Sequence, residues 1–233
     1  MDTVPAYVSI VFILTTFAAI GFFLQVIKTA GINSLPSRIL VFLLPLWIIF
    51  QGVLAVGGFY QNISGFPPRV ALFGPFPAVL LIISYFLLFR KSFIERLPLR
   101  LLTLVHIVRI PVELVLYWLF LDGVVPRVMT FAGRNYDIAS GILALGVYFI
   151  AFRRRTTNKW LLIGFNTLGL LLLVNVVSIA ILSLPTPFQQ LALDQPNRAV
   201  LYFPYIWLPT IIVPVVLFSH LASLWKLFRS NDN

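Results

Sequence analysis

The chemistry in this chain is concentrated between Leu99 and Asp122, in LRLLTLVHIVRIPVELVLYWLFLD, where His106, Arg109 and Glu113 interrupt a run otherwise apolar enough to span a bilayer. At about 100° per residue, His106, Arg109, Glu113 and Tyr117 fall on one side of a helix and form a single polar stripe. An ionised residue near the centre of a span costs at least about 2.5–3.5 kcal/mol unless it faces a partner or water, so such residues mark ligand, ion or proton sites. Glu113, four residues after Arg109, is the expected ion-pair partner. Pro111 has no N–H and leaves the Ile107 carbonyl without its usual helical donor, which adds an acceptor beside the stripe.

His106 and His220 are the two histidines. Measured from Leu99 and Lys226, where their apolar runs end, they lie at matching depth and are expected to meet. Such a pair suits a proton relay, a metal shared with Glu113 or, as an alternative, the axial ligation of a b-type haem. Hydrogen bonding to neighbouring helices is the plainer role, and no cofactor is expected. Asn175 is placed near the midplane, facing Arg109, whereas Asn166 and Gln51 read as interhelical hydrogen-bonding residues. Asp122, Arg134 and Asp137 surround the outer exit of the same stretch as a candidate entrance, with Asp137 read as a helix cap salt-bridged to Arg134.

The elements that must position these residues follow from composition. Of the 233 residues 60% are hydrophobic and 10% charged, against roughly 25% charged in soluble domains. The predicted fold is all-α, a single integral membrane domain over residues 1–233 with seven spans at about 5–28, 36–58, 69–90, 99–122, 136–153, 159–183 and 199–226. The runs are too long and too continuous for the alternating strands of a membrane barrel. Met1–Tyr7 carries no basic segment, so the first run reads as a retained helix and not as a cleaved signal.

Counting Lys and Arg by side puts twelve, including Lys28, Arg90, Lys91, Arg153–Arg155, Lys159 and Lys226, against Arg69, Arg127, Arg134 and Arg198 on the other. The positive-inside rule then places the N-terminus outside and the C-terminus in the cytoplasm of a multi-pass protein of the cell membrane. This distribution explains the net charge of +10 without a nucleic-acid partner, and the Arg153–Arg155 run is expected against anionic headgroups. The Gly-, Pro- and Phe-rich segments 58–68, 123–135 and 184–197 are expected to fold over the outer mouth. Arg69-Val-Ala-Leu-Phe-Gly-Pro-Phe and Arg198-Ala-Val-Leu-Tyr-Phe-Pro-Tyr share a register, which suggests a parallel 3+1+3 repeat around the fourth span.

The absence of cysteine excludes disulfides, thiolate metal sites and cysteine nucleophiles. The four lysines sit at span ends, so none is placed for a mid-membrane Schiff base. The expected function is a transporter or permease-like binder of a small, anionic solute held at Arg109. The alternatives are a membrane-embedded enzyme acting on a lipid or isoprenoid and a non-catalytic receptor or assembly subunit. The expected partners are the lipid bilayer and a small-molecule or lipid ligand. A reporter fused after Asn233 is expected to give a cytoplasmic signal, and an extracytoplasmic one would reverse the orientation.

Overall fold

The computed structural model describes Met1 and residues 3–153 and 157–229. Arg154 and Arg155 of the basic run lie outside the described residues. Among the described residues the regular elements are helical, with no strand. In chain order the α-helices are α1 (Ala6–Gly31), α2 (Leu35–Val56), α3 (Arg69–Phe73), α4 (Pro75–Leu88), α5 (Leu99–Val105), α6 (Arg109–Leu121), α7 (Asp137–Phe152), α8 (Lys159–Leu182) and α9 (Val213–Arg229). Among the described residues six stretches are long and apolar enough to cross a membrane: α1, α2, α3–α4, α5–α6, α8 and Leu208–Arg229. The fifth expected span is shorter, because α7 has 16 residues and reaches about 24 Å, against a hydrocarbon core of about 30 Å.

Local chemistry sets the boundaries and breaks. The Ser34 side chain accepts from the Ser37 N–H at the start of α2, and Asn158 caps α8 by accepting from Leu161 N–H at 3.1 Å. Gly74 followed by Pro75 separates α3 from α4. In the fourth stretch the helix tightens to a 3₁₀ turn at His106–Val108, just where Pro111 removes an intrahelical donor. The proline-rich last stretch departs further from the expectation of a helix beginning at 199. Arg198 precedes one 3₁₀ turn at Ala199–Leu201, and the membrane-length helix starts with a wide turn at Leu208–Ile212. Arg69, by contrast, opens helix α3 directly, so the two similar segments do not share a backbone conformation.

The α5–α6 stretch and the last stretch bury the largest share of their lengths. The α5–α6 stretch packs on α1, α7 and α9, and α8 lies against both α7 and α9. Side-chain hydrogen bonds tie the helices where the apolar contacts carry no direction. Trp47 Nε1 donates to Thr210 O at 3.0 Å, and Trp207 Nε1 donates to Ile48 O at 3.1 Å. Gln51 bridges α2 to the end of α3 by donating to Phe73 O at 2.8 Å while accepting from Tyr60 Oη at 2.5 Å. Burial pushes the Tyr60 phenol up to about 12, so it remains the donor to Gln51.

The segment after α8 folds back over the end of α6, where Gln195 Nε2 donates to Phe120 O at 3.0 Å and Val125 O at 2.6 Å. At the opposite end Arg229 pairs with Glu95 at 2.6 Å, and Lys226 Nζ donates to Leu97 O. Two of the basic clusters therefore share one end of the bundle.

The α7 helix approaches the fourth stretch through Gly141. A Cβ there would lie 2.8 Å from Ile110 Cγ1 and 3.1 Å from the Ile110 backbone N, closer than packed carbon atoms sit. Small residues permit this kind of backbone approach between membrane helices. Gly146, on the same helix, has nothing within 4 Å of such a Cβ. Gly141→Ala is expected to lower stability in detergent by about 1–3 kcal/mol through overpacking. Gly146→Ala is expected to lower it not at all, and thermal melts of the two purified variants check the contrast.

Candidate functional site

Arg109 opens α6 with 2% of its surface exposed. Its Nε lies 3.2 Å from Asp137 Oδ2 in an ion pair, and Nη1 and Nη2 donate to Gly169 O at 3.3 and 3.2 Å. The partner expected from spacing is therefore replaced: Arg109 pairs with Asp137 on α7, and among the described residues it makes no ion pair with Glu113. The close approach at Gly141 brings the first turn of α7 against Arg109, and an acid on a neighbouring helix can meet the guanidinium without bending back along one helix face.

Glu113 takes a different partner. Asn135 Nδ2 donates to Glu113 Oε1 at 2.6 Å and to Met129 O at 2.9 Å, while Asn135 Oδ1 accepts from Asp137 N–H at 3.0 Å. One buried amide thus holds Glu113 and the start of α7 together, and sequence patterning offered only an Asn two residues before a helix as a signal. Asp137 remains at a helix N-terminus, where a carboxylate is favoured, but it is buried and is not salt-bridged to Arg134. Arg134 is exposed, and its carbonyl accepts from Asn175 Nδ2 at 2.9 Å.

That contact takes Asn175 away from Arg109. Asn166 is the α8 amide that joins the cluster, with Oδ1 2.9 Å from His220 Nδ1. Nine residues along one helix put the two amides on opposite faces and about 13 Å apart, so only one of them can face the bundle centre. Asn166 Nδ2 donates to Leu162 O at 2.8 Å, which turns Oδ1 toward the imidazole and assigns the proton to His220 Nδ1.

His106 and His220 meet, stacked with ring centroids 3.8 Å apart and planes 15° apart. Phe165 meets the His106 ring edge-on at 5.4 Å. The imidazoles oppose their faces and not their nitrogens, whereas two axial ligands of a haem must aim nitrogens at one iron from opposite sides; the geometry lends the haem alternative no support. Among the described residues no group of three or more His, Cys, Asp or Glu is arranged to hold a metal ion.

Gly169 makes this packing possible. A Cβ there would sit 2.7 Å from His220 Nε2 and 2.9 Å from Ser140 Oγ, so its absence admits His220 and Ser140 against the α8 backbone, whose carbonyl also receives Arg109. Tyr117 leaves the stripe. Its ring stacks on Phe131 at 4.9 Å with planes 27° apart, about 12 Å along the axis from Arg109. Asp122 is half-buried at the C-terminal end of α6. No hydrogen bond or ion pair joins it to Arg134 or Asp137 among the described residues, so the three entrance candidates do not form one cluster.

Above the charged cluster lies a cavity of about 620 Å³, between α3–α4, α6, α8 and the last stretch. Arg109, Glu113 and Asp137 line it, and the walls are apolar, with Val112, Leu173, Val176, Ile212 and Val216 among them. At its rim Phe66 and Phe188, 79% and 57% exposed, stand with ring centroids 4.9 Å apart. His106, His220 and Asn166 are buried behind the charged cluster and do not line this cavity.

A family model, Domain of unknown function (DUF8737), matches residues 67–228, a range that holds every residue of the charged cluster and the stacked histidines. No curated protein and no solved structure matches the chain.

Removing one partner of a buried ion pair strands the other, at a cost of about 3–5 kcal/mol. Asp137→Ala is expected to lower unfolding stability by that amount, whereas Arg134→Ala, at an exposed position, is expected to stay within about 0.5 kcal/mol of the parent. Denaturation of both variants in detergent measures the difference.

Proposed function

The chain belongs to the DUF8737 family, and we propose that it is a membrane protein that binds one amphipathic molecule, apolar body in the cavity and polar head at Arg109, Glu113 and Asp137. In this reading the chain crosses the bilayer seven times, α7 included, with the N-terminus outside, and the short α7 is accommodated by local thinning of the bilayer. The observation that carries the proposal is the cavity of about 620 Å³ that ends on three buried charged side chains. That volume lies within the usual range for small-molecule sites, which are largely apolar with a few polar groups that orient the ligand. Apolar walls alone would mean little in a bilayer; the charged floor beneath them distinguishes a site from a packing gap.

An amphiphile suits this geometry better than the small anionic solute suggested by Arg109 in isolation. The guanidinium already faces Asp137, and Glu113 brings a second carboxyl to the same floor. Chemistry by His106 or His220 on a cavity-bound molecule is disfavoured, because both rings lie behind the charged cluster. Movement of the bound molecule across the membrane would be a further step beyond binding.

Leu173 and Val176 line the cavity from α8. Purified wild-type protein is expected to retain one amphiphile per chain, detected by mass spectrometry of an organic extract. Leu173→Trp and Val176→Trp are expected to lose it with little change in melting temperature. A wild-type preparation without bound amphiphile, and unable to take one up from lipid, would refute the proposal.

A further inference from the structure

We infer that the head group recognised at Arg109, Glu113 and Asp137 is a hydrogen-bond donor, an amine or an alcohol, and that carboxylate- and phosphate-headed lipids are refused. This inference rests on the amphiphile-binding reading above and assigns its ligand class.

The argument is a count of donors and acceptors at the cavity floor. Glu113 Oε2 and Asp137 Oδ1 are both buried and without a hydrogen-bond partner, and both residues line the cavity. A buried acceptor left unmade is the costly state of a polar group, and it costs more when that group is a carboxylate. The hydrogen bonds that Arg109 and Asn135 make go to other acceptors. Both Nη groups of Arg109 are directed at Gly169 O, and its Nε faces the other oxygen of Asp137. Asn135 uses both amide protons, on Glu113 Oε1 and Met129 O.

Asn197, which also lines the cavity, has an unpartnered buried Oδ1. Unpartnered acceptors thus stand at more than one point of the wall, and a ligand that supplies donors complements them.

Charge points the same way. One guanidinium stands against two carboxyl groups at the floor, and the imidazoles of His106 and His220 stack on each other behind it. An ammonium supplies donors and a positive charge beside the second carboxyl group, and a hydroxyl supplies a donor without adding negative charge. A carboxylate or phosphate brings further acceptors and negative charge beside two carboxyl groups that each already have an unpartnered oxygen. From Leu173 to Leu182 the wall of α8 extends about 14 Å, a surface along which the apolar chain of an amine or alcohol can lie.

The test uses three photoreactive sixteen-carbon amphiphiles that differ only in carrying a primary amine, an alcohol or a carboxylate. Each is applied to the full chain in lipid nanodiscs, and labelled peptides are mapped. Amine and alcohol are expected to label Leu173, Val176 and their neighbours at least about tenfold more than the carboxylate does. Their relative yields tell which of the two donors the site prefers. Glu113→Gln keeps an acceptor for Asn135 and replaces Oε2 by a donor, so it is expected to reduce amine labelling to the carboxylate level.

Carboxylate labelling equal to or stronger than that of the other two would overturn the head-group assignment and leave the amphiphile reading standing. Absence of cavity labelling by all three would overturn both. Unchanged amine labelling in Glu113→Gln would remove Glu113 from the recognition, and the wild-type ranking decides the assignment even if that variant fails to fold.

Discussion

The burial of one guanidinium governs the centre of this molecule. Arg109 is almost wholly buried, and a charge in that position persists only where counter-charge and hydrogen bonds surround it. Those partners come from two other helices, Asp137 at the start of α7 and the carbonyl of Gly169 in α8. A helix carbonyl has two lone pairs, so Gly169 O can receive the guanidinium without losing its place in the α8 ladder. Three helices are thereby fixed in register by one side chain, in a medium where apolar contact between helices gains little over contact with lipid.

Two glycines make that convergence sterically possible. Gly141 lets α7 lie against the Arg109–Ile110 backbone, and Gly169 leaves room for the His220 ring and the Ser140 hydroxyl. The stacked pair of His106 and His220, steadied by Asn166, fills the space on the far side of Arg109 from the cavity. On the near side, Asn135 joins Glu113 to the first turn of α7. The polar groups of four helical stretches thus form one layer, closed behind and open above to an apolar chamber. That asymmetry gives the layer the character of a floor on which a head group could rest.

Much of this architecture was legible from residue order. The bilayer demands about 20 consecutive apolar residues for each helical crossing, so the stretches stood out, and only α7 proved shorter than that length. The cost of a buried charge likewise marked Arg109 and Glu113 before any contact was known, and matching depth from the span ends anticipated that His106 and His220 would meet. Of the three segments expected to fold over one mouth of the bundle, the one at 184–197 lies over the end of α6, held through Gln195.

By itself the sequence determined the helical membrane architecture and the position of its costly charges, because hydropathy and the energy of burying an ion are properties of residues in one segment. Partner choice was decided by the tertiary structure. Asp137 displaced Glu113 beside Arg109, and Asn166 took the inward face expected for Asn175, since both outcomes depend on how closely helices approach at Gly141 and Gly169. The cavity also belongs to the tertiary structure alone. Residues facing lipid and residues facing an apolar chamber are chemically alike, so Leu173, Val176 and Ile212 carry no mark in sequence of the space they enclose.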